Sequence, residues 1–247
     1  MNRKIFFRIL SSAGGIIVAF LSYSYAVEKL VNYDETALYS KLDFFNMALL
    51  TDEFNKYDYL DRTDNTLTFL PFLFLFVGTF LVSSGFLTKA KSYHTFIVAR
   101  TTSQKNAALQ IKGITADKSI IYSISFAVTL YILSTFALPE AFSKPSPFPE
   151  NQLILILVLH TLLKILLLQM LSSGMFFVYR LKNISISFIS GVFLIFALFI
   201  ADLQWETGNI ILFFYGNYFI ESILIVSLLY FAFHWYSINK LKTDFLE

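Results

Sequence analysis

The stretch 88–118 has the sequence TKAKSYHTFIVARTTSQKNAALQIKGITADK, and it is the one long polar and basic segment of the chain. Six of its residues are Lys or Arg, and a single one, Asp117, is acidic. An uncharged apolar run flanks it on each side, at about 67–87 and 119–138. An apolar helix of about 20 residues is long enough to cross a bilayer. The stretch therefore separates two predicted membrane spans.

The composition is typical of an integral membrane protein. Hydrophobic residues make up 56% of the 247 residues, and the mean hydropathy is +0.64. A soluble domain is nearer to about 45–50% apolar. We predict an all-α integral membrane fold with a single transmembrane domain over 1–247. Its six transmembrane helices are expected at about 9–27, 67–87, 119–138, 153–177, 184–201 and 217–236.

The distribution of charge predicts the orientation of these helices. The first eight residues hold three basic residues and no acid, whereas the segment 28–66 holds nine acids and four bases. Short loops rich in Lys and Arg are typically cytoplasmic. We therefore predict that both termini and the stretch 88–118 lie in the cytoplasm and that 28–66 is a long external loop.

The external loop contains a predicted amphipathic helix. Asp34 is placed to cap a helix that runs to about Asp52. Its apolar side chains recur at spacings of four, three and four and form one stripe: Leu38, Leu42, Phe45 and Leu49. Such a helix either lies on the outer leaflet, or packs on the bundle, or forms an external cap or gate over a substrate path.

Several classes of chemistry are excluded by missing motifs. The chain has no GxxxxGK[ST] loop for nucleotide phosphates, no HExxH and no GxSxG. It has no cysteine, and its three histidines lie on different predicted elements. The formal net charge of +2 gives no indication of nucleic-acid binding. We predict a chain that is not an enzyme, binds no metal or cofactor of its own, and takes any energy from another protein.

Polar residues inside the predicted spans form a second group of candidates. Lys164 lies near the middle of the fourth span, with His160 one turn before it and Gln169 nearby, and Glu221 interrupts the sixth span. A charge at the bilayer centre costs about 2.5–3.5 kcal/mol on insertion scales. One hypothesis is that Lys164 pairs with Glu221, within the bundle or across a subunit interface. The alternative is that Lys164 snorkels, or that Glu221 lies near the outer surface.

Part of 88–118 has the pattern of a short capped helix. Thr101 and Gln104 match a capping box, which predicts a helix over 102–112, and Gly113 is placed to end it. This helix is too polar to cross the membrane. It is interpreted as a docking element for a cytoplasmic partner, against the alternative of a basic loop that merely fixes the topology.

Six spans, cytoplasmic termini and a basic helical element between spans two and three resemble the permeases of type 2 ABC exporters. With RTTSQK at 100–105, the chain is similar to the small permeases of bacteriocin, lantibiotic and toxic-peptide transport systems. The resemblance implies that the short element is a coupling helix seated in a groove of a separate ATPase subunit. The residues it assigns to coupling are Arg100, Thr101, Ser103, Gln104, Lys105, Asn106, Leu109 and Gly113.

The resemblance also implies partners and a location. Mg-ATP would bind to the ATPase subunit, and a second copy of the chain or a homologous permease would complete a path for an amphipathic or hydrophobic peptide or lipid. The expected location is a bacterial plasma membrane. Two other interpretations remain open. One is a membrane immunity or sensor protein that binds a peptide at its external loop without transporting it. The other is an ATP-independent carrier that uses Lys164 and Glu221.

Overall fold

The structure is a computed structural model that describes residues 3–33, 37–49, 70–87, 104–204 and 219–239. In these ranges it contains seven α-helices and no strand, so the all-α prediction is confirmed for this part of the chain. The helices are α1 (Arg3–Tyr33), α2 (Lys41–Leu49), α3 (Leu70–Leu87), α4 (Gln104–Phe136), α5 (Glu150–Leu181), α6 (Ile184–Gln204) and α7 (Phe219–Asn239). A single 3₁₀ turn, Glu140–Phe142, precedes α5.

A helix coincides with each of the six predicted spans. Four segments are long and apolar enough to cross a membrane: Ile5–Asn32 in α1, Lys112–Phe136 in α4, Glu150–Tyr179 in α5 and Ile184–Ala201 in α6. The apolar parts of the other two helices are shorter among the described residues: Phe72–Ser84 in α3 and Glu221–Tyr236 in α7. The structure therefore indicates a membrane protein with four candidate spans, and the full set of six remains a prediction.

The helix surfaces are apolar outside and contain polar residues inside. Exposed apolar side chains recur at every third or fourth position of α4 and α7: Ile120, Ile124, Val128 and Ile132, and Leu224, Leu228, Phe231 and Trp235. Small polar side chains are instead buried between helices: Ser11, Thr79, Ser83, Ser123 and Ser172. The first set is suited to contact with lipid, and small residues allow close helix contact in the second, as expected of helices packed in a membrane.

Helices α1 and α4 run side by side in the same direction. Near their starts, the guanidinium of Arg8 forms two hydrogen bonds with the Asp117 carboxylate, at 2.8 and 3.0 Å. Near their ends, the hydroxyl of Tyr23 donates to the carbonyl oxygen of Ala137. We call the end with Arg8 and Asp117 the basal end of the bundle, and the end with Tyr23 the distal end.

Helix α3 runs in the opposite direction to α4 and to α6. Lys118, near the start of α4, contacts Ser84, near the end of α3. Phenylalanine rings join α3 to α6 in antiparallel order: Phe72 with Phe199 at 4.2 Å, Phe76 with Phe196 at 5.7 Å and Phe80 with Phe188 at 4.4 Å between centroids. Such ring pairs contribute about 0.5–1.5 kcal/mol each beyond their buried area.

Tyr122 of α4 fixes the centre of the bundle. It is fully buried, and its hydroxyl donates to the carbonyl oxygen of Phe74 at 3.0 Å. Two glycines make room for it. A Cβ on Gly15 of α1 would overlap the Tyr122 carbonyl oxygen, and a Cβ on Gly78 of α3 would lie 2.7 Å from the Tyr122 ring. The sequence therefore places glycine where neighbouring helices leave no room for a Cβ atom.

The predicted loop helix is present, but it begins later than expected. Residues 37–40 are not helical, so the start predicted at Asp34 is wrong, while Asp34 and Asp52 themselves lie outside the described residues. Ser40 caps α2 instead: its backbone N–H and hydroxyl donate to the Asp43 carboxylate at 2.7 and 2.8 Å, and the Asp43 N–H donates back to the Ser40 hydroxyl at 3.3 Å. This reciprocal arrangement is a capping box.

Helix α2 packs into the bundle rather than presenting a single stripe to it. Leu42, Phe45 and Leu49 are buried as predicted, but Leu38 precedes the helix and is 58% exposed. Phe44, outside the predicted stripe, is fully buried, and its ring contacts that of Tyr23 with centroids 5.7 Å apart. Packing of the loop helix on the bundle is thus confirmed, and its use as a gate remains a prediction.

Candidate functional site

The prediction that Gly113 ends a separate short helix is wrong. α4 runs without a break from Gln104 to Phe136, and Gly113 lies inside it. A glycine inside a helix costs about 1 kcal/mol relative to alanine, and the packing of its neighbours offsets this cost because Lys112 and Thr115 are both buried in the bundle. Gly113 itself points to open space, with no atom within 4 Å of where a Cβ would lie.

The first eight residues of α4, 104–111, have the sequence QKNAALQI with four polar side chains, and we call them the leading segment. Gln104, Lys105 and Asn106 form its first turn, and Leu109 is 41% exposed. The other predicted coupling residues, Arg100, Thr101 and Ser103, lie outside the described part of the chain. The predicted docking element is therefore the first part of a long helix rather than a separate helix.

Lys112 anchors α4 to two other helices just after the leading segment. Its side chain is 8% exposed. Its ammonium lies 3.4 Å from the Ser173 hydroxyl of α5 and 3.3 Å from Nδ1 of His234 in α7. The hydroxyl of Thr115 donates to the Lys112 carbonyl oxygen at 2.8 Å. This lysine, predicted to belong to a basic cytoplasmic stretch, is therefore an interior residue of the helix bundle.

Lys118 is a second interior lysine from the same stretch. It is 2% exposed and donates to the Ser84 hydroxyl of α3 at 2.8 Å. Its ammonium also lies 4.2 Å from the centroid of the Phe7 ring of α1. Together with the salt bridge at the start of α1 and α4, these contacts form what we call the basal polar network: Arg8, Ser84, Lys112, Asp117, Lys118, Ser119, Gln169, Ser173 and His234.

One pattern in the sequence predicts the burial of Lys112 and Lys118. The helix end expected at Gly113 interrupts this pattern. Lys112, Thr115, Ser119, Tyr122 and Phe126 recur at spacings of three, four, three and four, and all five are buried. That spacing describes one face of a single helix. Continuing the helical period through the glycine would have placed the lysines inside the bundle.

Lys164 lies on the most buried line of α5. Its neighbours one turn away on that line, His160 and Leu168, are 1% and 0% exposed. The Lys164 ammonium lies 4.3 Å from the Phe74 ring centroid and 4.7 Å from that of Phe126. A cation over aromatic faces is held by the ring quadrupoles. This arrangement contradicts simple snorkelling of the side chain towards either end.

The hypothesis that Lys164 pairs with Glu221 inside one chain is wrong for this structure. Glu221 is exposed in the first turn of α7, and the salt bridges among the described residues do not include the pair. The reason is position: Glu221 begins a helix, whereas Lys164 is at the middle of one. Pairing across a subunit interface stays a hypothesis. Gln169, predicted to lie near Lys164, instead donates to Ser119 at 3.2 Å in the basal polar network.

The distal end carries an open pocket of about 520 Å³ that sequence reasoning did not predict. At its rim Lys41 forms a salt bridge with Glu150 at 2.7 Å, and the Tyr131 hydroxyl donates to the same carboxylate at 3.2 Å. The pocket is formed by residues from the loops and helix ends, including Thr135 and Glu140. We call it the distal pocket.

The described residues contain no group of three His, Cys, Asp or Glu side chains arranged to hold a metal ion. Searches against protein-family models, curated proteins and solved structures find no match for this chain. Two features therefore stand as candidate sites on their own chemistry. One is the leading segment with the basal polar network beneath it, and the other is the buried Lys164.

Proposed function

We propose that this chain is the transmembrane permease subunit of an ABC transporter. It would move an amphipathic or hydrophobic substrate, such as an antimicrobial or toxic peptide, across a bacterial plasma membrane. The observation that carries the proposal is that α4 includes the polar leading segment and is anchored by Lys112 immediately after it. A helix of this kind receives force at one end and transmits it to the bundle.

The anchors lie where such a force would have to pass. Lys112 contacts both α5 and α7. Lys118, six residues later in the chain, contacts α3. Asp117 is bonded to Arg8 of α1 between them. Displacement of the leading segment would thus be felt by four neighbouring helices within two turns. A plain topological loop would need none of these contacts.

The power source would be a second protein. The sequence holds no phosphate-binding loop, so Mg-ATP would be bound and hydrolysed by an ATPase subunit that docks on the leading segment in the cytoplasm. Leu109 supplies an exposed apolar contact for that docking. The exposed apolar helix faces would contact lipid, and a second permease copy, or a homologous permease, would enclose the substrate path.

Co-purification tests the proposal. The tagged chain, expressed in its native host and solubilised in a mild detergent, is expected to retain an ATPase subunit that mass spectrometry identifies and that hydrolyses ATP. Leu109→Asp is expected to reduce its recovery about tenfold or more, because truncating or charging a central apolar contact costs at least about 2 kcal/mol at an interface hot spot.

The matched control is Leu38→Asp, which makes the same change at an exposed leucine close to the distal pocket. It should leave ATPase recovery at the wild-type level. The proposal fails if the wild-type chain retains no ATPase subunit, or if both variants reduce its recovery equally.

The distal pocket favours a second candidate function. An immunity or sensor protein would bind an extracellular peptide there, with Lys41 and Glu150 offering both signs of charge beside the Tyr131 ring. Such a protein would need no ATPase. Binding of a cationic peptide that is lost in Glu150→Gln, by a chain that retains no ATPase subunit, would favour this candidate.

A further inference from the structure

Lys164 is a cation at the middle of the longest apolar segment of the described chain. Glu150–Tyr179 extends about equally on both sides of it. The two rings beneath its ammonium, Phe74 of α3 and Phe126 of α4, are 3% and 2% exposed. The charge is therefore held at the junction of three helices, where water and lipid headgroups are farthest away.

No carboxylate among the described residues forms a salt bridge with Lys164. The acidic residues in the described ranges lie near the ends of the bundle, in a cap, a turn, a salt bridge or the first or last turns of a helix: Glu28, Asp43, Asp117, Glu140, Glu150, Asp202 and Glu221. Aromatic faces stabilise an ammonium by about 2 kcal/mol or more when desolvated, but they do not accept its three hydrogen bonds. The site thus has a cation, an apolar wall and unused donors.

The Lys164 side chain is not completely covered by the bundle. Lys164 is partly exposed, although the residues before and after it on the same line of α5 are buried: Leu153, Leu157, His160, Leu168, Leu171 and Met175. The part of Lys164 that the neighbouring helices leave uncovered is where a ligand would approach the side chain.

We propose that Lys164 binds the anionic head of an amphiphile, a carboxylate or phosphate group carried on an apolar chain. Charge-assisted hydrogen bonds from the ammonium would hold the oxyanion, and the apolar surroundings would accept the chain. This inference deepens the proposed function, because it rests on a substrate entering the bundle and narrows that substrate to an anionic amphiphile. Neither a bare anion nor a neutral lipid would satisfy both parts of the site.

Binding by the full-length chain in a neutral detergent tests the inference. Native mass spectrometry would measure retention of oleate against oleyl alcohol, which shares its chain but lacks the charge. Dioleoylphosphatidylglycerol against dioleoylphosphatidylcholine repeats the comparison with a phosphate head. We expect one anionic amphiphile per chain, bound about ten- to a hundredfold more tightly than its neutral counterpart, the range that a charged hydrogen bond supplies.

Variants test whether Lys164 causes the preference for the anionic amphiphile. Lys164→Met should abolish the preference for the anionic member of each pair, and Lys164→Arg should retain it. Lys144→Met is the control because it removes the same charge from an exposed residue outside the helices and should change nothing. If Lys164→Met does not give a monodisperse protein, Lys164→Gln replaces it in the same comparison.

The binding results distinguish failure of the anion site from failure of the transporter proposal. Equal retention by wild type and Lys164→Met overturns the inference, and so does retention of acetate or inorganic phosphate as tight as that of the amphiphiles. A stronger response to oleate or to phosphatidylglycerol identifies which head the site takes. The assay contains no ATPase, so a chain that binds the amphiphile but retains no ATPase subunit contradicts the transporter proposal alone. The converse result contradicts the anion site alone.

Discussion

The ammonium of Lys118 donates to a serine hydroxyl at the basal end, whereas that of Lys164 at mid-height lies over two phenylalanine rings. Both charges are inside the same bundle, and α4 contributes to both surroundings. At the basal end, the partners come from side chains on neighbouring helices. At mid-height, no described residue accepts a hydrogen bond from Lys164.

The difference separates a structural charge from one available to a ligand. A buried polar group with its hydrogen bonds made fixes the helices that supply them, whereas one with unused donors remains costly until a partner arrives. The basal polar network therefore suits the transmission of force from the leading segment. The Lys164 site suits binding. The comparison predicts that substitutions at the two lysines have opposite effects on stability.

The largest expected effect comes from moving α4 itself, because this helix carries Lys118 and the Phe126 ring beneath Lys164. In Gly15→Ala the new Cβ would overlap the Tyr122 carbonyl oxygen and lie 3.1 Å from the Phe126 backbone nitrogen. Overpacking against backbone typically costs about 1–3 kcal/mol, and we expect the upper part of that range. Reversible unfolding in SDS-containing mixed micelles would measure the loss in free energy of unfolding.

Gly14→Ala is the matched control for this close contact. Its Cβ would meet Cδ1 of Leu81, the end of a flexible side chain that can move aside, so a loss below about 1 kcal/mol is expected. Equal losses in the two variants would show that α1 and α4 are not held at the distance seen here, and the shared dependence of both lysine sites on α4 would then fail.

The positions of the helices could be predicted because they depend on the length of apolar runs. The predicted span 153–177 lies within α5, and 184–201 lies within α6. The start of the loop helix could not be placed from its apolar spacing. Ser40 and Asp43 make reciprocal bonds that place the helix start at Lys41, and in the sequence Asp34 offered an equally good cap. With the helix starting at Lys41, Phe44 is fully buried, a tertiary contact that the local pattern does not predict.

The second-largest expected effect is the difference in free energy of unfolding between the Lys118 and Lys164 variants. Lys118→Met should lower the free energy of unfolding by about 1–2 kcal/mol, since a hydrogen bond from a charged group contributes about 1.5–3 kcal/mol and the relief of desolvation returns part of it. Lys164→Met should raise it by about 1 kcal/mol, because the cost of a central charge exceeds the attraction of the two rings. Unfolding of both variants in the same mixed micelles measures the two signs.

Lys164→Arg is the control for this comparison. Lys164→Arg keeps the charge and should leave the free energy of unfolding within about 0.5 kcal/mol of wild type, the range of a substitution that disturbs no packing. If Lys164→Met destabilises as much as Lys118→Met does, the two sites do not differ in kind. Lys164 would then be a packing residue rather than a ligand site.

The chemistry of the lysine sites was the hardest part to predict. The sequence showed Lys164 within an apolar run, but its ring partners are 90 and 38 positions away in the chain. The burial of Lys112 and Lys118 depended on whether α4 continues through Gly113. A local pattern cannot settle that question, because a glycine that ends a helix and a glycine inside one look the same in sequence.

The smallest expected effect tests whether α4 is continuous through Gly113. Only a continuous helix connects the leading segment rigidly to the basal polar network. In a continuous helix Gly113→Ala should stabilise the protein by about 0.5–1 kcal/mol, since alanine has less backbone freedom to lose and meets no atom within 4 Å. At a helix end, glycine would take a left-handed conformation, and alanine would cost about 1–2 kcal/mol instead. The sign of the change in free energy of unfolding thus distinguishes a rigid continuous helix from a hinged one. A stabilised Gly113→Ala variant that also retains its ATPase subunit would show that force transmission needs no flexible joint below Leu109. A destabilised one would restore the separate short helix and remove the mechanical path through Lys112.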